Sequence, residues 1–74
     1  MSSFALRATI LITLDRNAGQ WCSLIWLAGR VVAPQHEVRR LCEDIAEQGQ
    51  ALSTDINGVR CYGVGTSSAS EVLL

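Results

Sequence analysis

The residues of this chain with catalytic or metal-binding chemistry are His36 and three cysteines, Cys22, Cys42 and Cys61. A Cys–His active site needs the two side chains within hydrogen-bonding reach, but Cys42 lies on the apolar side of the helix predicted to carry His36. A zinc site usually contains closely spaced ligand pairs such as C-x-x-C, and none is present. Convergence of all four residues on a metal is an alternative. The spacing favours three reduced thiols that pack as small hydrophobic side chains, so we expect no enzyme, no metal and no cofactor.

The second group of chemically informative residues is the arginines. The net charge is −1, yet residues 1–42 carry +3 and residues 43–74 carry −4. Every cationic side chain apart from the histidine is arginine, whose planar guanidinium matches phosphate, carboxylate and guanine edges. Arg39 and Arg40 lie mid-helix, where they could contact DNA or pair with Glu43 and Asp44 one turn later. We leave these two interpretations open.

Length and composition restrict the class of protein. A chain of 74 residues that is 49% hydrophobic indicates one small folded domain with a modest core. The apolar run over residues 4–14 is too short and too polar to span a membrane, and it fits a signal peptide poorly. We therefore expect a cytoplasmic protein with no membrane partner.

The first half of the chain predicts two helices. Residues 4–16 fit either a strand, by the alternation of residues 6–14, or a helix, by the spacing of Phe4, Ala8, Leu11 and Ile12. We favour a buried helix because thirteen residues is long for a strand, with Ser2 or Ser3 as its cap. A short strand or extended link follows near Trp21. Ser23 is then predicted to cap a second helix over residues 23–29 that stops at Gly29.

The second half predicts a third helix and a hairpin. Pro34 suits the first turn of a helix over residues 34–48, and Gly49 ends it. Apolar residues at i, i+3, i+4 and i+7 give this helix one buried stripe, Val38, Leu41, Cys42 and Ile45. Asn57-Gly58 predicts a tight turn between strands over residues 51–56 and 59–64. The predicted core contains Leu11, Leu24, Leu27, Val38, Leu41 and Ile45.

This order of elements resembles the winged helix-turn-helix family, an α+β fold with three helices followed by a two-stranded wing. The similarity rests on the turn Ala28-Gly29-Arg30, the stripe of the third helix and the Asn57-Gly58 hairpin. It spans roughly residues 5–64, within an expected domain over residues 1–65 that is followed by a flexible tail over residues 66–74. The apolar end of the tail, residues 71–74, could dock on the domain or on a second subunit.

The resemblance implies a function as well as a fold. In the family the third helix enters the DNA major groove and the wing contacts the backbone or minor groove. The residues implied to bind DNA are Arg30, Gln35, His36, Arg39, Arg40, Asn57 and Arg60. We therefore expect a homodimeric transcription regulator that binds double-stranded DNA. The alternative is a winged-helix protein-interaction module, such as a phage or mobile-element inhibitor of a host protein, which the acidic second half would suit.

Overall fold

The computed structural model describes residues 3–74, which form three helices and one four-stranded sheet. The elements in chain order are α1 (Ser3–Arg16), β1 (Trp21–Ser23), α2 (Leu24–Val31), α3 (Gln35–Glu47), β2 (Leu52–Ile56), β3 (Val59–Gly63) and β4 (Val72–Leu73). The predicted α+β class and the three helices are confirmed, whereas the sheet has four strands rather than two. Ser2, one of the two predicted caps of the first helix, lies outside the described residues.

Residues 4–16 are helical, but the helix faces the core with a different side from the one predicted. Leu6, Ile10 and Leu14 are buried at i, i+4 and i+8. Phe4 and Ile12, which lie on the side that was expected to be buried, are exposed. Apolar residues occur on several sides of α1 and are not separated from its polar residues, so the sequence pattern did not specify which side packs inward.

The connection between α2 and α3 also differs from the prediction. Ser23 caps α2 as expected, with its Oγ accepting a hydrogen bond from the Trp26 backbone nitrogen at 3.1 Å. The helix then passes through Gly29 and ends at Val31. The left-handed position belongs to Val32, with φ 55°, so Gly29 is not the helix stop. Pro34 precedes the helix as the N-cap residue rather than starting it.

α3 and the strand after it follow the prediction closely. Val38, Leu41, Cys42 and Ile45 are all buried. The chain leaves the helix through Gly49, whose φ is 78°, and the Gln50 backbone nitrogen donates to the Ile45 carbonyl at 3.0 Å. This i to i−5 bond is the closure expected where a glycine ends a helix.

β2 and β3 pair antiparallel through the Asn57-Gly58 turn. Both turn residues have positive φ, 50° and 80°, as a type I′ turn requires. β3 also pairs antiparallel with β1, and β4 pairs parallel with β1, giving the order β2-β3-β1-β4. The end of the predicted tail therefore docks on the same chain, and the sheet extends beyond residue 65.

One core lies between the helices and the sheet. It contains Leu27, Val38, Leu41 and Ile45 as predicted, while Leu11 and Leu24 are only partly buried at its edge. Tyr62 is also fully buried in this core. No helix among residues 3–74 has the length and hydropathy needed to cross a membrane.

Candidate nucleic-acid interface

The side of α3 opposite the core forms the candidate interface. Four residues on α3 and one at the end of α2 are exposed there, and all five were predicted from the sequence: Arg30, Gln35, His36, Arg39 and Arg40. Helical spacing places residues 36, 40, 43 and 47 along the outward side, with residue 39 beside them. The first half of this surface is basic and the second half is acidic. We call four exposed residues of the first half, Gln35, His36, Arg39 and Arg40, the α3 basic face; Glu37, in the first turn, is partly buried at its flank.

The guanidinium groups of the α3 basic face are unengaged. Within residues 3–74, the side chains of Arg39 and Arg40 make no hydrogen bond or ion pair, although Arg39 lies near enough to Glu43 to lower the pKa of that carboxyl. Arg30 lies above the Trp26 ring, with its Cζ 5.9 Å from the ring centroid. These cations are therefore available to an anionic partner.

Glu43, the first carboxylate of the acidic half, is held by the hairpin. The guanidinium of Arg60 donates from Nη2 to Oε1 at 2.9 Å and from Nε to Oε2 at 3.1 Å. The hydroxyl of Tyr62 also donates to Oε2. Hydrogen bonds from Arg60, and then from Tyr62, hold the pKa of Glu43 below its usual range. The carboxylate is therefore ionised, and Arg60 offsets its charge.

Asp44, the second carboxylate, is held by α1. Nη1 of Arg7 forms an ion pair with Oδ2 of Asp44. Nη2 of the same guanidinium donates to Gln48 Oε1 at 2.7 Å and to Gln50 Oε1 at 3.0 Å. The pairing of Arg39 and Arg40 with Glu43 and Asp44, left open by the sequence, is therefore absent: both carboxylates are taken by arginines from other elements. Glu47 is exposed at the end of the helix.

The two predicted hairpin residues occupy different environments. Asn57 is exposed at the tip of the β2–β3 turn. Arg60 is instead turned toward α3, where it contacts Glu43, Ser53 Oγ at 3.1 Å and Asp55 Oδ2 at 3.4 Å. Its Cζ also lies 5.7 Å from the centroid of the Tyr62 ring. Arg60 thus shapes the charge of α3 and does not present a free cation.

Sequence reasoning missed the network of Glu43, Arg60 and Tyr62. Residues 60 and 62 lie on the same face of β3, because side chains two positions apart in a strand point the same way. The sequence alone shows this. That this face meets α3 depends on the packing of the hairpin, because Glu43 and Arg60 are seventeen residues apart. Only the tertiary structure shows that the acidic half of α3 is offset by cations from β3 and α1.

The cysteines and His36 do not form a joint site. His36 is exposed on α3 while Cys42 is fully buried. Burial raises the pKa of the Cys42 thiol to about 12 and that of Cys22 to about 11, so neither thiol is ionised near neutral pH. No group of three potential metal ligands occurs among residues 3–74.

Comparisons with models of protein families, with curated proteins and with solved structures found no match for this chain.

Proposed function

We propose that this chain is a small winged helix-turn-helix protein that binds double-stranded DNA and regulates transcription, with α3 as its recognition helix. The observation that carries the proposal is the unengaged α3 basic face, next to an acidic half whose Glu43 and Asp44 are offset by Arg60 and Arg7. Offsetting these carboxylates removes much of the repulsion that phosphates would otherwise meet along the helix.

The order of the elements supports the same proposal. α2 and α3 are joined by a short turn at residues 32–34, which has the length expected for the connection in a helix-turn-helix. The β2–β3 hairpin follows α3 and is tied to it by the pair of Arg60 and Glu43. In the proposed complex this hairpin is the wing, and Asn57 at its tip contacts the DNA backbone.

Each residue of the interface has a role set by its chemistry. Arg39 and Arg40 neutralise phosphates or read a guanine edge, and the Gln35 amide suits an adenine edge. His36 donates to a phosphate, and Arg30 extends the contact along the backbone. The first turn of α3 approaches the duplex more closely than the last, because the macrodipole and the remaining charge of Glu47 both favour that tilt.

The test compares two variants by fluorescence anisotropy on a labelled duplex of random sequence. Replacing Arg39 and Arg40 together with alanine is expected to lower affinity more than about tenfold and to reduce the salt slope by about 2, since two phosphate contacts are lost. Arg16→Ala removes an exposed arginine from the end of α1 and is the matched control. Equal effects of the two replacements would contradict the proposal.

A second candidate function, a protein-interaction module, has its own observation. A surface hollow of about 600 Å³ lies at the α2–α3 turn, lined mainly by apolar residues that include Ile25, Val32 and Pro34. Val32 is 87% exposed and holds a left-handed backbone conformation that is unfavourable for a β-branched residue. A partner protein could bind there, as a host target would bind a phage or mobile-element inhibitor. Absence of duplex binding by the native chain would favour this candidate.

Either function is compatible with a reducing compartment. Cys22, Cys42 and Cys61 are all unpaired and buried, as is usual for proteins of the cytoplasm. We therefore place the protein in the cytoplasm in both proposals, with no catalytic role assigned to the histidine or the thiols.

A further inference from the structure

α1 leaves an apolar surface uncovered on the side that faces away from the core. Phe4 is 82% exposed and Ile12 is 52% exposed, and Ala8 lies midway between them. The spacing of i, i+4 and i+8 aligns the three residues along one side of the helix. We call this surface the α1 outer face. An exposed phenylalanine aligned with a second large apolar side chain is the kind of patch that marks an interaction site.

The α1 outer face is self-complementary. Phe4 and Ile12 lie at equal distances before and after Ala8, each about 6 Å along the helix axis. A second copy of α1 packed antiparallel over Ala8 would therefore bring Phe4 of one chain to the level of Ile12 of the other. Ala8, the smallest side chain of the three, would lie at the crossing point and allow the two helices to approach closely.

A hollow lies beside Ile12, at the level along α1 that Phe4 of an antiparallel second copy would reach. It has a volume of about 330 Å³ and is lined by Leu11, Ile12, Asp15, Gln50 and Val64. An aromatic side chain inserted in a pocket is a frequent anchor of protein interfaces. The antiparallel arrangement also places Asp15 near the positive N-terminal end of the other helix, which stabilises its carboxylate.

We infer that two copies of this chain associate through the α1 outer face, with Phe4 of each inserted in the hollow beside Ile12 of the other. The interface uses neither the α3 basic face nor the α2–α3 turn, so the pairing does not depend on the proposed function. For a DNA-binding protein, the pairing would present two copies of α3 to two half-sites.

The first experiment measures oligomeric state by sedimentation velocity, without DNA. The native chain is expected to be a dimer. Phe4→Asp and Ala8→Arg are each expected to raise the dimer dissociation constant by more than about thirtyfold, which corresponds to about 2 kcal/mol. Leu52→Asp is the matched control, because residue 52 is also apolar and 51% exposed but lies on β2. Helical circular dichroism checks that each variant is folded.

Two variants of opposite charge test the antiparallel register, because the inference predicts that they gain association when they are mixed. Phe4→Glu and Ile12→Lys are each expected to be monomeric when purified separately. Mixed together, they are expected to form a heterodimer, because the glutamate of one chain meets the lysine of the other while the second Phe4–Ile12 contact is native. A monomeric native chain, a Phe4→Asp variant that remains dimeric, or a mixture that stays monomeric would each overturn the inference. None of these results bears on duplex binding by the Arg39 and Arg40 variants, so failure here is distinct from failure of the proposed function.

Discussion

Glu43 of α3 and Arg60 of β3 are joined by two hydrogen bonds, of 2.9 and 3.1 Å, that fasten the hairpin to the helix. Tyr62, fully buried beside them, donates to the same carboxylate. The ion pair therefore helps to hold the hairpin against α3 and offsets one negative charge on the outward side of that helix. The first two predictions concern this pair.

The pair makes stability depend on pH in the acidic range. The hydrogen bonds from Arg60 and Tyr62 lower the pKa of Glu43 in the folded state from the ordinary value of about 4.5. A carboxylate with a lowered pKa adds stability that is fully present above its unfolded pKa and is lost as pH falls through its folded pKa. The native chain is therefore expected to lose more stability than Glu43→Gln as pH falls below about 4.5. Urea unfolding at neutral and acidic pH measures this, and parallel curves for the two proteins would contradict it.

Arg60 is expected to affect DNA binding indirectly, by offsetting Glu43. Arg60→Ala should weaken duplex binding because it leaves an uncompensated carboxylate beside the α3 basic face. Adding Glu43→Gln in the same chain should restore most of the lost affinity, since the exposed charge is then removed. Fluorescence anisotropy of the native chain, the two single variants Arg60→Ala and Glu43→Gln, and the double variant completes a double-mutant cycle. If the double variant binds as weakly as Arg60→Ala, then Arg60 acts on the DNA directly, as the sequence first indicated.

The acidic end of α3 supplies a third prediction. Glu47 is exposed on the outward side of the helix, and Glu47→Gln is expected to tighten duplex binding several-fold at low salt by removing repulsion from phosphate. Asp44→Asn is the comparison variant, because Arg7 already offsets the carboxylate of Asp44. Removing that carboxylate frees only Arg7, which lies on α1. If the chain is instead a protein-interaction module, Glu47→Gln is expected to show no DNA binding.

The core stripe of α3 gives a prediction for stability. Leu41→Ala is expected to cost about 2–5 kcal/mol, because a cavity adds to the lost transfer free energy. In so small a domain this loss can prevent folding altogether. Ile25→Ala, at an exposed position, is expected to change stability by less than about 0.5 kcal/mol. Chemical denaturation of the two variants compares them, and a fully stable Leu41→Ala protein would show that the packing of α3 is misassigned.

Two glycines are expected to respond in opposite directions. Gly58 has φ 80° at the hairpin turn, so Gly58→Val should destabilise the hairpin by placing a β-branched residue in the left-handed region. Gly29 lies inside α2, and a Cβ there would meet no atom within 4 Å. Gly29→Ala should therefore stabilise the protein by about 0.5–1 kcal/mol. Thermal unfolding measures both, and equal midpoints for the two variants would contradict this account of the two glycines.

The sequence predicted those features that depend on local chemistry. The stripe of α3, the Ser23 cap, the Gly49 ending and the Asn57-Gly58 turn each follow from residue type and spacing over a few positions, and the structure contains all four. The exposure of the α3 basic face follows from the same spacing, because the stripe specifies which side of the helix is buried.

Features that depend on packing between distant segments were not predictable in this way. α1 is apolar on several sides, so the choice of Leu6, Ile10 and Leu14 as its buried face is made by the neighbouring elements. The strand β4 is only two apolar residues long, too short to give a strand pattern in the sequence, and it forms by pairing with β1. The contact between Arg60 and Glu43 likewise requires the hairpin to fold against α3.

The most direct test of the central claim is the binding of the native chain to a duplex of random sequence at about 50 mM and about 200 mM salt. Three phosphate contacts, from Arg30, Arg39 and Arg40, predict a fall in affinity of roughly fortyfold between the two conditions. No detectable binding at the lower salt concentration, or binding that does not change between the two, would contradict the assignment of α3 as a DNA-binding helix.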